Sequence, residues 1–403
     1  MKKLIILVLT MSVSLLAETQ IYKTVNITTA GTLSTILNDY EKATITNLTV
    51  TGNIDARDIK CIRDLILLDL NISETNIIAY TGLLGTGTFY SNPTTIISYP
   101  ANEMPEYSFY NSMKSVRIQT VYLPKSITSI GYKAFNSCGT LTNILIPNSV
   151  TNIGAYAFNM CEKLTNISIP NTITNIGDYA FFQCMNLTGD LFIPKSIRII
   201  GSNVFDTCEK LTSVTFENSN PLAYFTSIGN SAFSQCAAMK KLTLSNAVSS
   251  IGEFAFNSCW GLTTIYSCNT TPPTLGSSCF NGVSNVTDVF VPTDEAVIAY
   301  KAINTTVWTG NKGWILAFPG NIIKKGSISD TPETQNNHVN VYSDQNGIVV
   351  EGVLIGEKVK IFSVHGVCLQ TLKSKGELLV IPIARKALYI VETSTKTFKV
   401  QIQ

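Results

Sequence analysis

The chain has 403 residues, of which 45% are hydrophobic and 14% are charged. Its 29 Lys and Arg residues nearly balance 27 Asp and Glu residues, and the net charge of +2 excludes a strongly basic nucleic-acid binder and an acidic disordered tail. Only two histidines are present, His338 and His365, which excludes most histidine-based metal sites and most Ser-His or Cys-His catalysis. The composition therefore favours a structural or binding protein.

Residues 1–17 are predicted to be a secretory signal peptide. Lys2 and Lys3 precede the apolar run Leu4 to Leu16, which is too short to span a bilayer of ~30 Å as a helix. The expected cleavage point follows Ala17, and an uncleaved anchor is the alternative. The signal peptide predicts that the protein is exported, and no transmembrane segment is predicted in the mature chain.

A repeat governs the middle of the chain. An Ile-Gly pair is followed three residues later by Ala-Phe, as in Ile153-Gly154 and Ala157-Phe158. Seven such units have their glycines at positions 131, 154, 177, 201, 229, 252 and 276. A fixed period of about 23 residues is typical of a solenoid, in which each unit forms one coil and neighbouring coils share a core.

One coil illustrates the predicted local structure. Apolar residues alternate over Leu164–Ile169, which predicts a strand with one buried face, and Pro170 ends it. Gly177 is expected to allow a tight turn, with a positive φ as one possibility. The spacing of apolar residues in Ala180–Cys184 predicts a short helical or 3₁₀ turn that faces the core.

Six cysteines occupy one repeat position, three residues after each phenylalanine. They are Cys138, Cys161, Cys184, Cys208, Cys236 and Cys259. The favoured interpretation is a column of small apolar side chains in the core, and the alternatives are disulfides between neighbouring coils or a metal site. Among the remaining cysteines, Cys268 and Cys279 form the only pair considered for a bridge.

The repeat unit resembles the BspA-like leucine-rich repeat family of bacterial surface proteins, with Ile146–Ile167 (IPNSVTNIGAYAFNMCEKLTNI) as a close match. Residues 30–73 resemble the lead-in of such proteins. The segment VPTDEAVIAYKA, followed by Trp308, Trp314 and Phe318, is similar to their closing cap. The resemblance implies a right-handed solenoid with a concave sheet, a strand and a short helical turn in each coil, and an extracellular interaction role. It implies no catalytic residue, so no enzyme activity is expected.

The chain is predicted to contain five parts after the signal peptide. They are an N-terminal cap with degenerate repeats (18–105), the solenoid (106–292), its C-terminal cap (293–324), a polar linker (325–338) and a small antiparallel β-sandwich (339–403). The sandwich is predicted from short alternating strands and an Asn346-Gly347 hairpin signal. Its segments GEKVKIFSVHGVCLQTL, ALYIVE and KTFKV are similar to the C-terminal sorting domain of type IX secretion.

That second resemblance implies export across the outer membrane, followed by surface attachment or release. The expected location is therefore the cell surface or the extracellular space. The periplasm is the alternative if the module is not a sorting signal.

The candidate functional surface is the concave sheet. Its predicted outward residues are Thr142, Asn143, Thr165, Asn166, Thr212, Ser213, Lys240, Lys241, Thr263 and Thr264. Small polar side chains on such a face suit an extracellular protein or glycan ligand, although a merely solvated sheet is an equal alternative. An adhesion or interaction protein is the leading hypothesis. A glycan-binding accessory protein, which should show exposed aromatic residues, is the second. A monomer without cofactor, metal or nucleic-acid partner is expected.

Three smaller features have competing interpretations. Asp55, Arg57 and Asp58 either cap a helix and form a salt bridge or bind a cation. Trp308 and Trp314 either pack in the cap or stack on a sugar ring. His338 and His365 are expected to be exposed residues without a catalytic role.

Overall fold

The repeats fold into a β-solenoid of about 10 turns with ~24 residues per coil. The computed structural model describes residues 20–86, 96–110, 116–218, 226–302, 322–326, 340–344, 347–351, 358–363, 368–373, 378–381, 388–392 and 397–401. Several predicted features lie outside these residues. They are the signal peptide, most of the linker, Asn346 of the hairpin, Trp308, Trp314, Phe318, His338 and His365.

The N-terminal part combines three helices with the start of a parallel sheet. The helices are α1 (Leu33–Ile36), α2 (Asp39–Thr44) and α3 (Ala56–Arg63). Strands β1 (Tyr22–Ile27), β2 (Asn47–Ile54), β3 (Asp69–Asn71), β8 (Thr120–Tyr122) and β10 (Asn143–Leu145) pair in that order, and β4 (Thr75–Ile77) also pairs with β2. An antiparallel pair, β5 (Tyr80–Gly82) and β6 (Ile97–Tyr99), lies between β4 and β8 in the chain.

A second parallel sheet continues the same side of the coils. Its strands are β13 (Gly189–Ile193), β15 (Leu211–Phe216), β17 (Lys241–Leu244), β19 (Thr264–Ser267), β21 (Asp288–Val291) and β22 (Ile322–Lys325). The intervening segment Leu164–Ile169 was expected to be a strand but forms none. In the next coil, the register of β13 against β15 shifts between Gly189 and Asp190, and Gly189 has a left-handed backbone with φ of 84°.

Eight short parallel strands form a sheet on another side of the coils. They are β7 (Glu103–Met104), β9 (Ser129–Ile130), β11 (Asn152–Ile153), β12 (Asn175–Ile176), β14 (Ile199–Ile200), β16 (Thr226–Ile228), β18 (Val248–Ile251) and β20 (Thr274–Leu275). The sequence predicted only that an isoleucine of each coil is buried at this point, and it did not predict these strands. Each strand is two to four residues long, because the chain turns again directly after it.

The segment after each glycine consists of successive turns. In one coil the backbone N–H groups of Ala157 and Asn159 donate to oxygens three residues earlier, at 3.2 Å each, as in the expected 3₁₀ turn. The N–H groups of Tyr156 and Phe158 instead donate to the next coil, at 2.9 and 2.7 Å. Left-handed residues such as Tyr156 (φ 57°) allow this alternation, so the segment is both a turn and an intercoil ladder.

The repeated glycines are required by close contact between coils. Gly177 does not have the positive φ that was considered for it, since only Gly31, Gly52, Gly189 and Gly282 are recorded with one among the described glycines. A Cβ on Gly177 would lie 2.6 Å from the backbone nitrogen of Ala155 in the preceding coil. The same crowding occurs at Gly154, where a Cβ would lie 2.9 Å from backbone atoms of the coil before it.

The core is a set of stacked columns, one side chain from each coil. Eight phenylalanine rings stack with centroids 5.1–5.4 Å apart and interplanar angles of 2–20°. They are Phe109, Phe135, Phe158, Phe181, Phe205, Phe233, Phe256 and Phe280. Helix α4 (Asp294–Ala302) packs on β19 through the buried hydroxyl of Tyr300, which lies 2.6 Å from that of Ser267.

The cysteine column lies in the same core, as predicted. Its six members are at most 1% exposed and are free thiols. Each sulfur donates to a backbone oxygen of the preceding coil, as from Cys161 to Phe135 at 3.2 Å and from Cys184 to Phe158 at 3.3 Å. Burial raises the pKa of Cys184 to about 12, so its thiol stays protonated and unreactive at neutral pH. Cys268 and Cys279, the other pair considered, are also free.

The C-terminal module contains two antiparallel sheets. One comprises β23 (Asn340–Asp344), β24 (Gly347–Glu351) and β27 (Leu378–Ile381). The other comprises β25 (Lys358–Ser363), β26 (Cys368–Lys373), β28 (Leu388–Glu392) and β29 (Thr397–Gln401). Apolar residues of both sheets are buried, including Val350 and Ile381 of the first and Ile361 and Val391 of the second. This arrangement agrees with the expected small antiparallel sandwich.

Candidate binding face

The outward side chains of the longer strands form two rows, which together we call the strand face. Parallel pairing places equivalent residues of successive coils beside each other, ~4.8 Å apart. The first row contains Thr120, Asn143, Asp190, Ser213, Lys241, Thr264 and Asp288. The second contains Tyr122, Leu145, Phe192, Thr215, Thr243, Tyr266 and Phe290, of which Thr243 is buried. Asn166 is exposed in the segment between the two sheets.

Three predicted binding threonines also connect the coils. The hydroxyls of Thr142, Thr165 and Thr263 each donate to the backbone oxygen of the equivalent residue one coil earlier, at 3.0, 3.2 and 3.1 Å. Thr142 and Thr263 lie immediately before β10 and β19, and Thr165 lies in the segment between the two sheets, so the bond links successive coils in all three places. Their hydroxyl donors are therefore occupied, and any contact with a ligand would use their oxygen lone pairs or methyl groups.

A second group of predicted residues surrounds an aspartate that the sequence did not single out. The hydroxyls of Thr212 and Ser213 donate to Oδ1 of Asp190, at 3.0 and 2.7 Å. This short polar cluster holds the Asp190 carboxylate on the exposed side of β13. Lys240, which comes before β17, is exposed, and its backbone oxygen accepts from the backbone N–H groups of Thr263 and Thr264 at 3.0 and 3.2 Å.

Aromatic residues occupy the C-terminal end of the strand face. The rings of Tyr266 and Phe290 stack with their centroids 4.9 Å apart and planes at 19°. The Nζ atom of Lys241 lies 4.5 Å from the centroid of the Tyr266 ring, which is a cation–π distance. Both rings are partly exposed. We call Lys241, Tyr266 and Phe290 the strand-face aromatic group.

The same end of the face carries charges of both signs. The Lys324 ammonium donates to Oδ1 of Asp288 at 2.7 Å. This bond, with a weaker one from Thr287, lowers the pKa of the Asp288 carboxyl. Aspartate and lysine side chains thus alternate along the sheet at Asp190, Lys241, Asp288 and Lys324.

Sequence reasoning missed these aromatic residues although a signal was present. The predicted binding residues were the two that follow the first apolar residue of each strand, such as Thr263 and Thr264. The strand alternation also places the residue between the last two apolar positions outward, as for Phe290 between Val289 and Val291. Reading that position along the repeats would have found Phe192, Tyr266 and Phe290.

The charged cluster near the N-terminus is a helix cap. Asp55 and Asp58 form a capping box at the start of α3, and Arg57 pairs with Asp55 at 2.6 Å. Asp58 also accepts from the backbone N–H of Leu33 at 2.9 Å, and burial raises the pKa of its carboxyl. The capping interpretation is therefore confirmed. Over the described part of the chain, no group of three or more His, Cys, Asp or Glu residues is arranged to hold a metal ion.

The fold and the repeated core columns agree with a known family. A model of the BspA type leucine-rich repeat region matches residues 102–224 and 221–308, in 6 copies. The chain belongs to the BspA-type leucine-rich repeat family. No curated protein matches this chain.

Solved structures with similar coils include other bacterial leucine-rich repeat proteins. A leucine-rich repeat protein of T. pallidum is 26% identical, with a TM-score of 0.39, and the match covers 47% of this chain and 84% of that protein. A leucine-rich cell surface protein of Faecalibacterium prausnitzii is 19% identical, with a TM-score of 0.33 and coverage of 72% and 75%. In the described part of this BspA-type chain, every helix is too short or too polar to cross a membrane.

Proposed function

We propose that this protein is an exported surface protein that binds a partner protein through its strand face. The observation that carries the proposal is the strand-face aromatic group of Lys241, Tyr266 and Phe290. Partly exposed aromatic and cationic side chains on a rigid surface are the residues that contribute most binding energy at protein interfaces. Hydroxyl and amide groups along the two rows, together with alternating charges, supply the polar contacts that surround such a centre.

Family membership supports a binding role. BspA-type repeats form a scaffold on which each coil presents its own side chains, so a long face can contact a large partner. A binding scaffold also needs no catalytic group, and the described acids of the strand face are paired across coils and do not converge on one point.

The test is a binding screen of the full chain against immobilised host extracellular matrix proteins and polysaccharides. For the matrix protein that binds, Tyr266→Ala and Phe290→Ala are each expected to weaken affinity by about ten-fold or more, as for residues at an interface centre. Surface plasmon resonance measures the change, and circular dichroism confirms folding.

The matched control is Trp260→Ala. Trp260 is 59% exposed but lies outside both rows of the strand face, so its loss should leave affinity unchanged. Unaltered binding by both strand-face variants would contradict the proposal. Binding of a neutral polysaccharide alone, with the same dependence on Tyr266 and Phe290, would instead support the glycan-binding accessory protein.

We also propose that the C-terminal sheets act as a sorting domain after the signal peptide directs export. The support is the resemblance of their sequence to type IX sorting domains, together with two antiparallel sheets that have a buried apolar interior. In a bacterium with type IX machinery, deletion of residues 339–403 is expected to leave the solenoid in the periplasm. Protease treatment of intact cells should then digest the full chain and spare the truncated one.

A periplasmic marker protein is the control for cell integrity in that experiment. The truncated solenoid should remain folded, because each coil is stabilised by its neighbours along the array. Equal digestion of both forms on intact cells would mean that the module is not an export signal, and a second binding domain would then be the better explanation.

A further inference from the structure

A cluster of tyrosines surrounds one lysine on the turn side of the solenoid, away from the strand face. Tyr107, Lys133, Tyr156 and Tyr179 occupy one repeat position in successive coils, two residues before the phenylalanine of the core column. Each has a left-handed backbone, with φ between 54° and 58°. The stacking of coils therefore places these four side chains in one row.

The Lys133 ammonium lies among four aromatic rings. Its Nζ atom is 5.1 Å from the ring centroid of Tyr132 and 5.2 Å from that of Tyr156. The rings of Tyr110 and Tyr107 are 5.8 and 6.0 Å away. All four distances are within the range of cation–π attraction, which holds an ammonium in place without neutralising its charge.

The rings also contact one another and form a continuous surface. Tyr132 meets Tyr107 and Tyr156 edge to face, at 5.4 and 5.9 Å. Tyr156 and Tyr179 stack in parallel, with centroids 4.8 Å apart and planes at 5°. The side chains of the row are partly exposed. We call Tyr107, Tyr110, Tyr132, Lys133, Tyr156 and Tyr179 the tyrosine–lysine cluster.

Among the described residues, no recorded ion pair joins Lys133 to a carboxylate. The nearby Asp178 carboxylate accepts from the backbone N–H of Ser202 at 2.7 Å. The cluster thus combines a fixed, uncompensated cation with flat aromatic surfaces and phenol hydroxyl groups.

The backbone at this position offers little to a peptide. The N–H groups of Tyr156, Phe158 and Met160 donate to the next coil at 2.9, 2.7 and 2.8 Å, so they cannot pair with an added strand. A ligand at this cluster is therefore recognised by side chains: the faces of the aromatic rings, the tyrosine hydroxyl groups and the Lys133 ammonium. A sugar ring presents C–H groups that match the negative face of an aromatic ring, and an acidic sugar adds an anion for the lysine.

We propose that the tyrosine–lysine cluster binds an acidic saccharide. One sugar ring stacks on the face of Tyr132, whose plane lies at 83° to that of Tyr107 and at 80° to that of Tyr156, and its carboxylate or sulfate pairs with the neighbouring Lys133 ammonium. This site lies on a different side of the coil from the strand face and does not depend on the function proposed above. Carboxylate and sulfate share the same recognition here, and the experiment separates them.

The experiment measures binding of the full chain to hyaluronan, dextran sulfate and neutral dextran by biolayer interferometry. Hyaluronan carries only carboxylates and dextran sulfate only sulfates, so the tighter of the two identifies the preferred anion. Lys133→Met keeps the aliphatic stem among the rings but removes the charge, and should weaken binding by about ten-fold or more. Lys133→Arg should restore most of the affinity, because it keeps the cation.

The matched control is Lys163→Met, which removes an exposed lysine of a neighbouring coil and should leave binding unchanged. Tyr132→Leu keeps an apolar side chain and the charge of Lys133, and should still weaken binding because the flat ring is lost. The proposal is overturned if neither acidic polysaccharide binds, if Lys133→Met binds as well as the unmodified chain, or if neutral dextran binds equally. Equal binding of poly-glutamate would overturn the saccharide assignment.

Discussion

Replacing Phe158 with alanine is expected to lower the free energy of unfolding by about 3–5 kcal/mol, as for truncation of other buried aromatic residues. Its ring is fully buried and stacks at 5.2 Å on Phe135 and at 5.1 Å on Phe181. Truncation therefore removes ring contacts from two intercoil interfaces at once and leaves a cavity between them. Urea unfolding of the full chain, followed by far-ultraviolet circular dichroism, measures the loss.

The matched control for that variant is Phe254→Ala. Phe254 lies in another coil of the solenoid and is 42% exposed, so its truncation should change the free energy of unfolding by only about 0.5 kcal/mol. A decrease in the free energy of unfolding of less than about 1 kcal/mol for Phe158→Ala would contradict its place in the shared core. Truncation of a buried phenylalanine lowers that free energy by about 3–5 kcal/mol.

The solenoid could be predicted from sequence because its signal is repeated. A single apolar pattern of 23 residues is ambiguous, but the same pattern in seven units indicates that equivalent residues stack. The repeat alone places Cys161 and Phe158 in core columns. It also predicts a strand at Leu164–Ile169, where the structure forms none.

The backbone conformation of the turn segments could not be predicted in the same way. Left-handed residues in proteins are usually glycine or asparagine, yet here Tyr107, Lys133, Tyr156 and Phe254 adopt that conformation. The backbone N–H of each of these residues donates to the next coil, as from Tyr156 to the Asp178 oxygen at 2.9 Å, and this bond offsets the strain. The residue types do not indicate these intercoil hydrogen bonds, so the sequence predicted only a short helical turn.

The candidate surfaces were only partly predicted for a different reason. Sequence reasoning sought functional residues on the strands, where Lys241 was found but Tyr266 was not. Tyr132 and Lys133 are adjacent in the chain, whereas Tyr156 is one coil away, and only alignment of the coils brings the three together. The repeat spacing contained this information, but it becomes visible only when each repeat position is followed through all coils.

Replacing Gly177 with alanine is expected to lower the free energy of unfolding by about 1–3 kcal/mol, as for overpacking of a rigid core. The new Cβ would lie 2.6 Å from the nitrogen and 2.9 Å from the Cα of Ala155, and 3.0 Å from the carbonyl carbon of Gly154. All three are backbone atoms, so relief requires the two coils to separate. Separation would lengthen the hydrogen bond from the Gly177 N–H to the Ile153 oxygen, now 2.9 Å.

Gly139→Ala is the matched control for the glycine column. No heavy atom lies within 4 Å of a Cβ placed on Gly139, and its φ is not left-handed, so alanine should be neutral or stabilise the fold by about 0.4–1 kcal/mol by restricting the unfolded chain. Equal stability of the two variants would mean that coil spacing does not depend on glycine. A loss confined to Gly177→Ala would show that contact between the backbones sets the distance between coils, and therefore the spacing of side chains on both proposed binding surfaces.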